Sequence, residues 1–129
     1  MRFLVDTSVL IDHLRGDERA TRLLIDRVRD GHELWSVTVV RTEVLAGMRK
    51  GEEDGTRALL GLLDWLDVTI EGADAAGELA RKYLRSHPGI DTVDYLVAAA
   101  TLALGASLLT QNVKHFPMFP GLASAYAYS

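Results

Sequence analysis

The sequence reads as an α/β sandwich around a mostly parallel sheet, on three grounds. Short apolar runs of strand length alternate with longer stretches of helical period along the chain. The strongest of these runs are mostly apolar rather than alternating, as strands buried on both faces are. At 129 residues the chain suits one core, because two separate cores would each be marginal, so residues 1–129 are expected to form a single domain.

The runs "RFLV" (2–5), "LWSV" (34–37) and "ASLLT" (106–110) predict buried parallel strands. Weaker strand signals are "VTI" (68–70) and "ASAYAY" (123–128). Helical patterns fill the intervals at about 7–15, 18–30, 38–50, 55–66, 73–86 and 92–104, and right-handed crossovers are expected to join the strands. The 18–30 stretch, "ERATRLLIDRVRD", is amphipathic, with Leu23, Leu24 and Val28 on one face. "DYLVAAATLALG", from Asp94, is apolar nearly all round, which predicts a central helix. "HPG" (87–89) breaks the chain before it, and "FPMFPG" (116–121) is a turn-rich connection. There is no internal repeat, low-complexity segment or linker.

Composition narrows the function classes. Hydrophobic residues make up 48% and charged residues 25%, the balance of a soluble globular protein. No apolar run approaches the roughly 18 to 20 residues of a membrane span, and no basic, apolar leader precedes "RFLVD". The expectation is a cytoplasmic protein. Zero cysteines exclude disulfide scaffolds, thiolate nucleophiles and cysteine-based zinc sites. A net charge of -4 argues against a broad basic nucleic-acid surface, and leaves only local clusters such as "MRK" (48–50) and "VKH" (113–115).

The acids carry the functional signal. On helices, an Asp or Glu with a base three or four positions away is an ordinary exposed pair. Asp12 has Arg15, Asp26 has Arg22 and Arg29, and Glu78 has Arg81 and Lys82. Glu43 has only Val39, Val40, Ala46 and Gly47 at those positions. Asp94 faces Val97 and Ala98 on one side and Ile90 and another acid, Asp91, on the other. Asp6 ends the first strand, where open α/β sheets bind ligands. Buried carboxylates of this kind are protonated, paired or bound to a cation. With no cysteine and with His13, His32, His87 and His115 scattered, oxygen ligation of Mg²⁺ or Mn²⁺ is favoured over zinc. Plain structural roles compete: Asp6 capping the helix at Thr7, Asp91 capping the next helix with Asp94 favoured by its dipole, and Glu43 paired with a distant arginine.

Taken in order, "FLVDTSVLID", "TEVLAG" (42–47), "DYLVAAATLALGASLLTQN" (94–112) and "VKHF" resemble the PIN-domain family, most closely its VapC-type toxins of bacterial toxin–antitoxin pairs. The resemblance implies a three-layer α/β/α sandwich. It also implies a catalytic and metal-binding trio of Asp6, Glu43 and Asp94, the same three acids that lack helical partners. Where the wider family often carries a further acid, this chain has Asn112, which adds no charge and would hold a second metal more weakly. Metal-dependent endonucleolytic cleavage of RNA is the implied activity, with Mg²⁺ as cofactor and Mn²⁺ as substitute. The implied partners are RNA, a VapB-like antitoxin that blocks the site with a basic side chain, and a second copy in a homodimer or toxin–antitoxin hetero-oligomer, with no membrane. The hydroxyls of Thr7, Ser8 and Thr110 are placed to orient phosphate or water, or to serve as caps and strand-end hydrogen bonds. Arg41, Arg49, Lys50, Lys114 and His115 are the expected RNA-backbone contacts.

Two rival classes are weaker. A silent interaction domain would use the acidic pocket to bind a basic peptide. Aspartyl phosphotransfer would want a second acid where this chain reads "DTS", and no GxxxxGK[ST] loop supports a nucleotide-triphosphate enzyme.

Overall fold

The computed structural model describes residues 1–127. Four strands form one parallel sheet in the order β3-β2-β1-β4: β1 is Arg2–Val5, β2 Glu33–Val37, β3 Asp64–Leu66 and β4 Ser107–Leu109. Six helices connect them: α1 (Thr7–Leu14), α2 (Glu18–Arg29), α3 (Thr38–Ala46), α4 (Glu53–Leu62), α5 (Ile70–Tyr83) and α6 (Thr92–Leu104). The chain runs outward from β1 through β2 to β3, then returns across the sheet to β4. Right-handed crossovers therefore put α5 and α6 on the face opposite the earlier helices, giving the expected three layers. The reversal lies between β1 and β4, where an open α/β sheet leaves a crevice beyond its strand ends.

Packing explains why these segments hold their places. In the central strand β1, Leu4 and Val5 have no exposed surface, and Leu4 aligns with Trp35 on one side and Leu108 on the other. Helix α6 contributes Val97, Ala98 and Ala100 to the same core, and its small residues let it lie close to β1 and β2. Gly105, at φ +60°, ends α6 in a left-handed conformation that a side chain would disfavour, and lets the chain enter β4.

Several boundaries differ from the sequence expectation. The predicted helix over 55–66 stops at Leu62, and residues 64–66 form the edge strand β3. The Trp65 indole N–H donates to the Leu60 carbonyl at 2.9 Å, satisfying a helix-end acceptor, and three residues are too few to show a strand period. "VTI" is not a strand: Thr69 caps α5, its hydroxyl accepting the Gly72 N–H at 3.0 Å. Helix α3 ends at Ala46 rather than residue 50, because the 47–52 turn bonds to itself: Arg49 N–H donates to Glu52 Oε1 at 2.7 Å. The stretch 123–127 is irregular rather than a strand, and Tyr128 of that expected strand lies outside the described residues.

Candidate active site

Asp6 follows β1 directly, and its N–H donates to the Leu109 carbonyl at 2.9 Å. It occupies the position before α1, yet its side chain makes no capping hydrogen bond, so the capping role does not explain it. The carboxylate is 3% exposed and takes two hydroxyl donors on one oxygen. Thr110 Oγ1 donates to Oδ2 at 2.7 Å and Ser8 Oγ donates to it at 3.1 Å. Both hydroxyls are aimed by the backbone: Asn112 N–H donates to Thr110 Oγ1 at 3.0 Å, and Gln111 N–H donates to Ser8 Oγ at 3.1 Å. An oxygen already accepting an N–H keeps its own proton to give, so the end of β4 fixes both donors on Asp6.

Glu43 lies on α3, on the turn before Gly47, and Thr7 Oγ1 donates to its Oε1 at 2.6 Å. Asp94 lies in the first turn of α6, within a capping box in which Asp91 Oδ1 accepts the Asp94 N–H at 3.0 Å and Asp94 Oδ2 accepts the Asp91 N–H at 3.2 Å. The structural reading of Asp91 is thus correct, and Asp94 shares in it. His115, in a short 3₁₀ turn at Val113–His115, places Nδ1 3.1 Å from the same Asp94 Oδ2. Among the described residues, no lysine or arginine pairs with any of the three acids, and each keeps its second oxygen without a protein hydrogen bond.

Asp6, Thr7, Ser8, Glu43, Asp94, Asn112 and His115 line one open cleft of about 460 Å³, together with Ile11, Asp12, Asp91 and Gln111. It lies at the β1/β4 reversal. Five of its walls are acidic and none carries a lysine or arginine. Burial, the dominant cause, pushes the Asp94 carboxyl up to about 6 from its ordinary 3.8. The hydrogen bond from the Asp91 N–H draws it down, the Asp91 charge raises it, and the His115 imidazole and the Asp6 charge act in opposite senses.

The remaining sequence candidates fall elsewhere. Arg41 stacks on Trp65 with its guanidinium 5.1 Å from the ring centroid, and Arg49 and Lys50 sit exposed in the turn after α3. Lys114 neighbours His115 in the 3₁₀ turn but does not line the cleft. None of these basic residues touches the acids, and His115 is engaged with Asp94. Thr7, Ser8 and Thr110 each donate a hydroxyl to a carboxylate of the cleft, Thr7 to Glu43 and the other two to Asp6.

Asp12 was missed. Its expected partner, Arg15, instead grips Glu52 with Nη1 2.9 and 2.8 Å from the two carboxylate oxygens, and donates from Nη2 to the Gly47 carbonyl at 3.1 Å. Asp12 accepts the Tyr126 hydroxyl and faces the cleft. Its spacing held the signal, since it stands one helical turn beyond Ser8.

The donor set suits a hard divalent ion in type, being carboxylate oxygen with one amide from Asn112. Such an ion would also offset the burial and the neighbouring acidic charge that raise Asp94. Among the described residues no three His, Cys, Asp or Glu side chains already form a finished ligand cage. Gathering them on an ion therefore requires side-chain adjustment.

Comparison with known proteins agrees with this architecture. Residues 3–117 match the PIN domain family. The chain is 46% identical to "Ribonuclease VapC19" of Mycobacterium tuberculosis, covering 95% of this chain and 98% of the relative. It is 40% identical to "Ribonuclease VapC10" of the same organism, covering 96% and 92%. Among solved structures, a toxin–antitoxin complex from Klebsiella pneumoniae superposes with a TM-score of 0.77 at 23% identity over 97% of this chain and 98% of its own. VapBC2 from Rickettsia felis, bound to a promoter DNA fragment, gives 0.78 at 21% over 96% and 97%. At these identities the two structures establish likeness of fold.

Proposed function

The chain belongs to the PIN-domain family, and from that premise we propose that it is a Mg²⁺-dependent endoribonuclease, the toxin of a toxin–antitoxin pair. One observation carries the reading. Asp6, Glu43 and Asp94 come from three separate elements to one cleft, and each is tied to the protein by one oxygen while the other stays without a protein partner. Carboxylates serving only the fold would be expected to use both oxygens or meet a cation of the protein itself. The likeness to proteins named ribonucleases over nearly the whole chain supports the substrate class.

Asp6, Glu43 and Asp94 would hold the ion, with Asn112 adding an uncharged oxygen at the rim. Mg²⁺, with Mn²⁺ as substitute, supplies compensation for the phosphate charge and a lowered pKa for a bound water. The chain's own residues supply the rest. Thr110 and Ser8 keep Asp6 from rotating, Thr7 does the same for Glu43, and the capping box with His115 does so for Asp94. Five acids in the cleft repel an anionic backbone, and a cation held there would offset that repulsion. Arg41, Arg49, Lys50 and Lys114 remain proposed contacts for RNA beyond the cleft.

A basic side chain from an antitoxin would fit the same free oxygens, blocking the cation; a VapB-like antitoxin and a homodimer complete the proposal. No helix among the described residues is long and apolar enough to cross a membrane, and the proposed setting is the cytoplasm, with residues 1–129 as one domain. The test is purified protein incubated with total RNA, with Mg²⁺ or with chelator, beside Asp6→Asn. Fragments with Mg²⁺ alone, absent from the variant, are expected. Equal cutting in chelator, or by the variant, contradicts the assignment.

A further inference from the structure

The C-terminal segment is tied down beside the cleft by a chain of polar contacts. Ala125 N–H donates to the Thr110 carbonyl at 3.0 Å. The Gln111 side chain then clasps the Tyr126 backbone at two points, Oε1 accepting its N–H and Nε2 donating to its carbonyl, both at 3.1 Å. From there the Tyr126 phenol donates to Asp12 Oδ2 on α1. Arg19 steadies the ring, its guanidinium 5.4 Å from the centroid and bonded to the Ala127 carbonyl.

We propose that Tyr126 is a positioning residue of the active site: it staples the end of β4 to α1, the two walls whose hydroxyls hold Asp6. The β4 wall contributes Thr110 and Gln111; the α1 wall contributes Ser8 and, one turn on, Asp12. Direct links between these walls include the hydroxyl contacts on Asp6 itself, the Gln111 N–H to Ser8 bond and a 3.4 Å approach of Ser8 to Thr110. Tyr126 supplies a second, outer attachment to the same pair of elements. Its phenol stays protonated there, because burial and the neighbouring Asp12 raise its pKa above the ordinary value, so it remains a donor across the working pH range. Asp12 is thereby fixed as a charged wall of the cleft instead of an exposed partner of Arg15.

This inference rests on the ribonuclease reading, and the test separates the two. Tyr126→Phe removes only the phenol bond and leaves the ring and the Gln111 clasp. A hydrogen bond to a charged group is strong enough that kcat for RNA cleavage should fall by about tenfold. KM and the far-ultraviolet circular dichroism should be unchanged, and a higher Mg²⁺ concentration should be needed for half-maximal rate. Asp12→Ala should show the same loss, and the double variant should be no worse than either, because both remove one link. Asp12→Ala keeps the measurement open if Tyr126→Phe fails to fold. Parental kcat and Mg²⁺ dependence in Tyr126→Phe and Asp12→Ala, alongside an inactive Asp6→Asn, overturn the staple and leave the ribonuclease reading standing. Losses that multiply in the double variant overturn it as well. A parent chain that does not cut RNA overturns both.

Discussion

Replacing Asp94 by asparagine should make the metal-free protein more stable at neutral pH. In the folded state the carboxyl titrates at about 6 instead of its ordinary 3.8, a difference worth about 3 kcal/mol at pH values above both. The folded chain holds this proton more tightly than the unfolded one. The contribution to stability is therefore fully present below the ordinary value, falls as pH rises, and is lost on passing about 6. Asparagine never carries the charge, and its Oδ1 can still accept the Asp91 N–H. It forfeits the charge assistance of that bond and of the His115 contact, about 1 kcal/mol. The net gain is about 2 kcal/mol, or roughly 6 °C in melting temperature for a chain of this size. Thermal unfolding in chelator at pH near 7.5 and near 4.5 measures it. The gain should be large at the higher pH and shrink at the lower, and millimolar Mg²⁺ should narrow it by stabilising the parent alone. An equal or lower melting temperature at the higher pH, or a gain independent of pH, would show that ionised Asp94 does not strain the fold.

Because an ion requires the ionised carboxylate, Mg²⁺ affinity and cleavage rate should both fall as pH drops through about 6; calorimetry and initial rates across that range check it, and a flat profile counts against Asp94 as a ligand. Thr110→Val leaves Asp6 with a single hydroxyl donor and strips the Asn112 N–H of its acceptor, so it should destabilise the fold by about 2 kcal/mol in denaturant titration and slow cleavage as well. Unaltered stability in that variant would mean that the hydroxyl does not hold the carboxylate.

The sequence was most readable where one physical rule dominates. Buried runs such as "RFLV" and the all-round apolar α6 announce themselves because nothing but a central position explains them. Glu43 and Asp94 stood out because local pairing rules left them without a cation, and the structure brings both to the cleft that Asp6 lines. Where two rules compete, the reading failed. Asp12 has Arg15 at helical spacing, yet Arg15 finds a bidentate partner 37 residues away in Glu52, and an exposed pair three positions apart is worth too little to resist. Edge strand β3 has only "DWL" to declare itself, so the helical pattern before it ran on. The tail reads as a strand through its tyrosine and alanine alternation, but it is held by one backbone bond to Thr110 and by the side chains of Gln111 and Arg19 instead of by a strand ladder, and no periodicity reports side-chain clasps.

If Asp6, Glu43 and Asp94 share one cation, Mg²⁺ titration calorimetry on the parent and on Asp6→Asn, Glu43→Gln and Asp94→Asn will show it. The parent should bind at pH near 7.5, and each variant should lose at least about tenfold in affinity, given the strength of a charged ligand contact. Parental affinity in any one of them, with the fold intact, contradicts a shared cation.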